Sequence, residues 1–166
     1  VSHAKRNNFI KTLGKTVKGN TLILFQLVEK HGKPLYDMMN DGSKKVFFVY
    51  GNTETKTRES IRGIIEKEKN AIIIASYGTF STGINIRNLH NIVFASPSKS
   101  RVRVLQSIGR GLRKGDNKDS VLIFDIADDL TFRGQNNFTL NHFQERINIY
   151  NTEQFEYEIS KVKIRT

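Results

Sequence analysis

Residues 21–26 read TLILFQ, and the four apolar residues inside that stretch follow one another without a polar interruption. A strand with one wet face alternates apolar and polar side chains, whereas a strand covered on both faces does not. LILF (22–25) therefore predicts a strand inside a sheet that has helices on either side. The signature recurs in VFFV (46–49), III (72–74), IVF (92–94) and VLIF (121–124). The segments between these runs are long enough for helical crossovers, and several show helical spacing. In TRESIRGIIEKEK, Ile61, Ile64 and Ile65 share one face and leave Arg58, Arg62, Lys67 and Lys69 to water. Leu27, His31, Leu35 and Met38 form a second stripe, with a kink or split expected at Gly32-Lys33-Pro34. Such alternation predicts the α/β class: a parallel sheet with helices on both faces.

The flanks read differently. The opening SHAKRNNFIKTLGKTVKG predicts a surface helix leading into the first strand, and DIADDLTFRGQNN, after the last one, reads as a loop. Thr139 is then expected to cap a helix with Leu140, Phe143, Ile147 and Tyr150 on one face. FEYEISKVKI (155–164) alternates, as an edge strand or a tether to a neighbour would. The expected organisation is a leading helix over 1–19, one α/β domain over 20–130 and an appendage over 131–166. Because the chain begins with Val1, it reads as a piece of a longer polypeptide.

With 166 residues the chain suffices for one domain and a small appendage. Lys and Arg number 27 against 16 Asp and Glu, a net charge of +11. That surplus favours a polyanionic partner, nucleic acid first, over an anionic membrane surface or a merely solubilising coat. No apolar run reaches the ~20 residues of a membrane span and no signal peptide is visible, so a cytoplasmic location is expected. The absence of cysteine excludes disulfides, thiolate catalysis and Cys-based zinc sites.

Two local patterns invite a catalytic reading. LGKT (13–16) ends like a phosphate-binding loop, G-x-x-x-x-G-K-[ST], but Phe9 stands where the first glycine is required and no strand precedes it. Such a loop wraps backbone N–H groups around phosphates, which this segment is not built to do. The chain is therefore not expected to hydrolyse a nucleotide alone. Asp125, Asp128 and Asp129 in DIADD read either as a nuclease-like metal cluster or, preferably, as partners for arginines and caps. His3, His31, His90 and His142 are scattered and suggest no metal site. Phe25, Tyr77 and Phe80 lie near loops and suit either core packing or stacking on bases.

The most informative stretch is QSIGRGLRKG (106–115). At 100° per residue, Arg103, Gln106, Arg110 and Arg113 fall within an arc of roughly 80°, opposite Leu105, Ile108 and Leu112. One reading is a solvated basic face. Gly109 and Gly111 argue against it, because each costs a helix about 1 kcal/mol and a solvated face has no use for them. Small residues beside guanidinium groups let another surface approach closely, and arginine forks suit phosphate oxygens.

This stretch resembles motif VI of superfamily 2 helicases, Q-x-x-G-R-x-x-R. The resemblance implies that Arg110 and Arg113 act as arginine fingers and Gln106 as a γ-phosphate sensor. These groups would reach across a cleft to ATP, with Mg2+, held by a preceding motor domain of the same polypeptide. TLILFQ resembles motif IV. VYGNTETKTRESIRGII (49–65) is similar to the next strand–loop–helix, whose Gly51, Asn52 and Arg58 would lie close to the nucleic acid. IIIASYGTFSTGINIRNLHNIVFAS (72–96) resembles motif V, in which Ser76 would contact the phosphodiester backbone and Gly83 and Asn85 the ribose of ATP. Asn85 stands where Asp is usual. Thr79, Ser81 and Thr82 add hydroxyls suited to phosphates. The resemblance covers roughly residues 20–130 and implies a RecA-like second motor domain, catalytically incomplete alone. Over the whole chain it is to DNA helicases of this superfamily that remodel branched DNA in recombination and repair. The alternatives are a non-enzymatic basic nucleic-acid-binding domain, an Asp-dependent nuclease and a restriction-type translocase motor.

Overall fold

The structure is a computed structural model that describes residues 3–81, 86–96, 105, 120–129 and 138–164. Helix α1 (Ala4–Thr16) leads into β1 (Thr21–Phe25), a π-helical turn (Val28–Gly32) and α2 (Lys33–Met39). Next come β2 (Val46–Val49), α3 (Thr55–Ile65), β3 (Ile72–Ser76), α4 (Tyr77–Ser81), β4 (Asn91–Phe94), β5 (Leu122–Asp125) and α5 (Phe138–Thr152). All five apolar runs are strands. They form one sheet in the order β2-β3-β1-β4-β5, and every pairing is parallel. Thr21 lies beside Ile72 on one side and Asn91 on the other.

An unbroken apolar run becomes two-sided in a strand because successive side chains point to opposite faces. Leu22, Leu24, Ile73, Ala75, Ile92 and Phe94 pack on one face against Ile65 of α3, Tyr150 of α5 and Leu105. Ile23, Phe25, Ile72, Ile74, Val93 and Ala95 pack on the other against Ile10 of α1 and Leu35 and Met39 of α2. The central strands β1, β3 and β4 are buried throughout, whereas the edge strands β2 and β5 are only partly covered.

Several expectations are corrected. Helix α1 is more than a surface leader, because Arg6, Asn7, Ile10 and Gly14 are buried against the sheet. On α3, Ile65 is buried and Ile61 packs on the core, but Ile64 is 43% exposed. The split at Gly32-Lys33-Pro34 is a π-helical turn in which the Gly32 and Lys33 amides bond five residues back, to Leu27 and Val28. His31 and Leu35 of the expected stripe are buried, but Leu27 is exposed, and Met39 rather than Met38 completes it. Thr139 lies within α5 and donates its hydroxyl to the Asp128 carbonyl at 2.6 Å. Residues 155–164 form no edge strand; they have no regular secondary structure and lie exposed. Tyr150 of α5 has the Phe155 and Tyr157 rings 6.3 and 6.0 Å from its own. Among the described residues no helix is long and apolar enough to cross a membrane.

Candidate functional site

In a parallel sheet every strand ends on the same edge, and ligands of open α/β domains gather there, where the strand order reverses. Here β1 sends the chain to one side, toward β2 and β3, and β4 sends it to the other, toward β5. The reversal therefore falls between the ends of β1 and β4.

Around that point the backbone is held by a buried polar cluster. The Ser96 hydroxyl, just past β4, accepts from the Gln26 amide at 3.2 Å and lies 2.8 Å from His31 Nδ1. The Ser96 carbonyl accepts from the Tyr77 phenol at 3.0 Å. Arg6 donates from one terminal nitrogen to the Ala95 carbonyl at 2.6 Å and from Nε to Asp128 at 2.8 Å. His31 is fully buried. Burial, then the neighbouring Arg6 cation, pushes its imidazole down to about 4, so it is neutral near pH 7. The π-helical turn that presents His31 packs tightly on β1, since a Cβ at Gly32 would lie 2.5 Å from the Phe25 ring.

At the end of β2, Gly51 and Asn52 form the exposed tip of a turn closed by two bonds. The Thr53 amide donates to the Tyr50 carbonyl at 2.9 Å, and the Tyr50 amide donates to Thr53 Oγ1 at 3.0 Å. Arg58 does not stand free in water. Its Nε donates to the Thr53 carbonyl at 2.9 Å, folding the guanidinium back over the turn. At the end of β3, Ser76 and Thr79 are buried and their hydroxyls lie 2.7 Å apart. The Thr79 amide also donates to Ser76 Oγ at 3.3 Å, so the serine closes the first turn of α4. Gly51, Asn52, Arg58, Ser76 and Thr79 thus sit at the carboxyl ends of β2 and β3. Ser81 ends α4. Thr82, Gly83, Asn85, Gln106, Arg110 and Arg113 lie outside the described residues.

The two patterns that invited catalysis have structural explanations. Lys15 sits in the last turn of α1 and pairs with Asp41. Asp125 accepts from Arg146 Nε at 2.5 Å and from the Tyr150 phenol at 2.6 Å, and Asp128 is held by Arg6. Phe25 and Tyr77 are buried and Phe80 packs against the core, so all three serve packing. Sequence reasoning missed Arg6, Ser96 and Arg146. Nothing local announces them, because each owes its role to a partner far along the chain.

A family model described as the helicase conserved C-terminal domain matches residues 4–115. The chain belongs to that family. Among relatives of this helicase domain, the ATP-dependent DNA helicase uvsW of Enterobacteria phage T4 is 35% identical over 97% of this chain and 34% of its own length. The putative ATP-dependent helicase IRC3 of Saccharomyces cerevisiae is 31% identical over 63% of this chain and 15% of its own. The crystal structure of T4 UvsW matches 98% of this chain with a TM-score of 0.82 and 36% identity, over 35% of that chain. The C-terminal domain of the DEAD-box protein Dbp5 shares the fold, with a TM-score of 0.66 at 18% identity over 92% of this chain and 80% of that one. The fold is thus the RecA-like one of helicase C-terminal domains, and the chain spans about a third of the length of UvsW.

Proposed function

We propose that this chain is the second motor half of an ATP-dependent superfamily 2 DNA helicase or translocase acting on branched DNA in recombination and repair. One observation carries the reading. The chain that holds the Gln106–Arg110–Arg113 spacing folds as a RecA-like sheet, with a TM-score of 0.82 to T4 UvsW. The net charge of +11 and the gathering of Gly51, Asn52, Arg58, Ser76 and Thr79 at the carboxyl ends of two strands support it further.

In this reading the preceding motor domain of the same polypeptide carries the phosphate-binding loop and the carboxylates for Mg2+. The donor set of this chain fits the other wall of such a site. Two guanidinium groups, donors only, and a carboxamide whose NH2 donates suit a triphosphate whose opposite side is held elsewhere. ATP supplies a γ-phosphoryl group whose transfer to water releases the energy for movement. Arg110 and Arg113 would neutralise charge on that group, Gln106 would orient against it, and Gly83 and Asn85 would hold the ribose. Such arginines contribute on the order of 10³–10⁵ in rate in other phosphoryl-transfer enzymes. Gly51, Asn52, Arg58, Ser76, Thr79, Ser81 and Thr82 contact the strand backbone. Domain closure and release then move the strand. Gripping phosphates rather than base edges makes binding indifferent to sequence and steeply dependent on salt.

The test is Arg110→Ala in the full-length polypeptide. ATP turnover should collapse while affinity for a forked DNA duplex is largely kept. The rival reading, a nucleic-acid-binding domain without motor function, requires the opposite: weakened DNA binding with ATP turnover intact.

A further inference from the structure

The buried cluster at the ends of β1 and β4 has no part in the contacts assigned above, yet it joins the segments that carry them. Ser96 is its centre. Its hydroxyl binds the Gln26 amide and His31, and its carbonyl binds Tyr77, the residue that follows Ser76 in the chain. Ala95, one residue earlier, is fixed from the opposite face of the sheet by Arg6, which also holds Asp128 beyond β5. Ser96 is 1% exposed and Tyr77 4%, so solvent does not compete for these bonds. In sequence Ser96 stands ten residues before Gln106, and Asp128 follows the strand that comes after the 106–115 stretch. The anchors that bracket this stretch are therefore tied to one another by Arg6. The Tyr77 phenol ties them to the β3–α4 turn.

We infer that Tyr77, Ser96, His31 and Arg6 are positioning residues. They fix the Ala95–Ser96 anchor, from which the chain runs on to Gln106, against the β3–α4 turn that bears Ser76 and Thr79. Contact of nucleic acid with that turn is thereby felt at the arginines. This inference rests on the proposed motor function. The physical reason is the geometry of the bonds. A displacement of Ser76 and Tyr77 pulls on the Ser96 carbonyl, and Ser96 has no slack because its hydroxyl is held from β1 and the π-helical turn. Apolar packing alone would let the two segments slide, whereas hydrogen bonds to a single backbone unit do not.

The experiment compares wild type, Tyr77→Phe and Ser96→Ala as full-length polypeptides, with ATP turnover measured with and without a forked DNA duplex. Tyr77→Phe removes one oxygen and keeps the ring in the core. DNA-stimulated kcat should fall about tenfold in both variants, while KM for ATP and Kd for the duplex stay within about threefold of wild type. A merely structural role would lower the melting temperature and leave kcat per folded molecule unchanged. If stimulated kcat in Tyr77→Phe equals that of a stimulated wild type, the inference falls and the motor reading stands. Should Ser96→Ala not fold, Tyr77→Phe decides alone. If the wild type shows no DNA-stimulated turnover, the motor reading itself falls, and this inference with it.

Discussion

Arg6 on the first helix and Asp128 beyond the last strand form an ion pair at 2.8 Å, 122 residues apart in sequence, with the arginine side chain 4% exposed. Removing one partner of such a pair leaves the other charge in a poor environment. Asp128→Ala should therefore cost about 2–4 kcal/mol of folding stability, seen as a lower urea midpoint at unchanged m-value. Arg6→Met, which keeps the volume and strands only a partly exposed carboxylate, should cost less. An equal loss in both would show that the arginine contributes through its bond to Ala95 rather than through charge.

At the opposite edge of the sheet, Asn20 is fully buried and satisfied on both sides of its amide. Its Nδ2 donates to the carbonyls of Ile65, Glu68 and Asn88, and its Oδ1 accepts from the Ala71 amide at 2.8 Å. Replacement by alanine removes the bonds of the buried Ala71 amide and of the Asn88 carbonyl, each worth about 1–3 kcal/mol, while the Ile65 and Glu68 carbonyls keep Asn88 Nδ2. Asn20→Ala should thus be among the most destabilising substitutions in the chain by thermal denaturation. Because it lies at the amino ends of the strands, the ratio of stimulated to unstimulated ATP turnover should not change.

His31 makes stability depend on pH in a defined window. Burial first, and then the Arg6 cation, pushes its imidazole down from 6.5 to about 4 in the folded chain, with Asp128 favouring the proton. Between those values the unfolded chain binds more protons than the folded one. The contribution is fully present above about pH 6.5 and is lost progressively as pH falls to about 4, by up to about 3 kcal/mol. Urea titrations at pH 7 and pH 4.5 measure the loss, and His31→Gln should flatten this part of the profile.

Gly32 sits where a side chain has no room. An added Cβ would lie 2.5 Å from two carbons of the Phe25 ring, which is itself fully buried. Gly32→Ala should cost about 2 kcal/mol, because the ring or the π-helical turn must move. Gly78, whose added Cβ would meet nothing within 4 Å, is the control. Gly78→Ala should change stability by no more than about 0.5 kcal/mol.

What the sequence discloses follows the range of the forces involved. The five strands were legible because burial on both faces leaves a local mark, an unbroken apolar run, and all five proved parallel partners in one sheet. Of the stripe over residues 27–39, His31 and Leu35 are buried as expected, on either side of the π-helical turn, whereas Leu27 at its start is exposed. At its end both i+3 and i+4 from Leu35 satisfy helical spacing, and the chain buries Met39 rather than Met38. Ile64 has the spacing of a core residue and is exposed, because Ile61 and Ile65 take the core-facing positions of α3. The Asp125 and Asp128 pairings with arginines were foreseen in kind, but not which arginines, since Arg146 and Arg6 reach them through the fold. The Ser96 cluster left no trace in any window of the sequence, because its members come from five separate segments.

The order of the strands also governs how this chain can acquire its shape during synthesis. β1 emerges first and takes the middle of the sheet, yet its neighbours begin only at Ile72 and Asn91. At ribosomal speeds of about 5–20 residues per second, several seconds pass before the first of those partners leaves the exit tunnel. During that interval LILF lacks both of its strand neighbours, and of this domain only the elements up to α3 are present to cover it. A nascent chain stalled before β3 is therefore the species that a chaperone should capture.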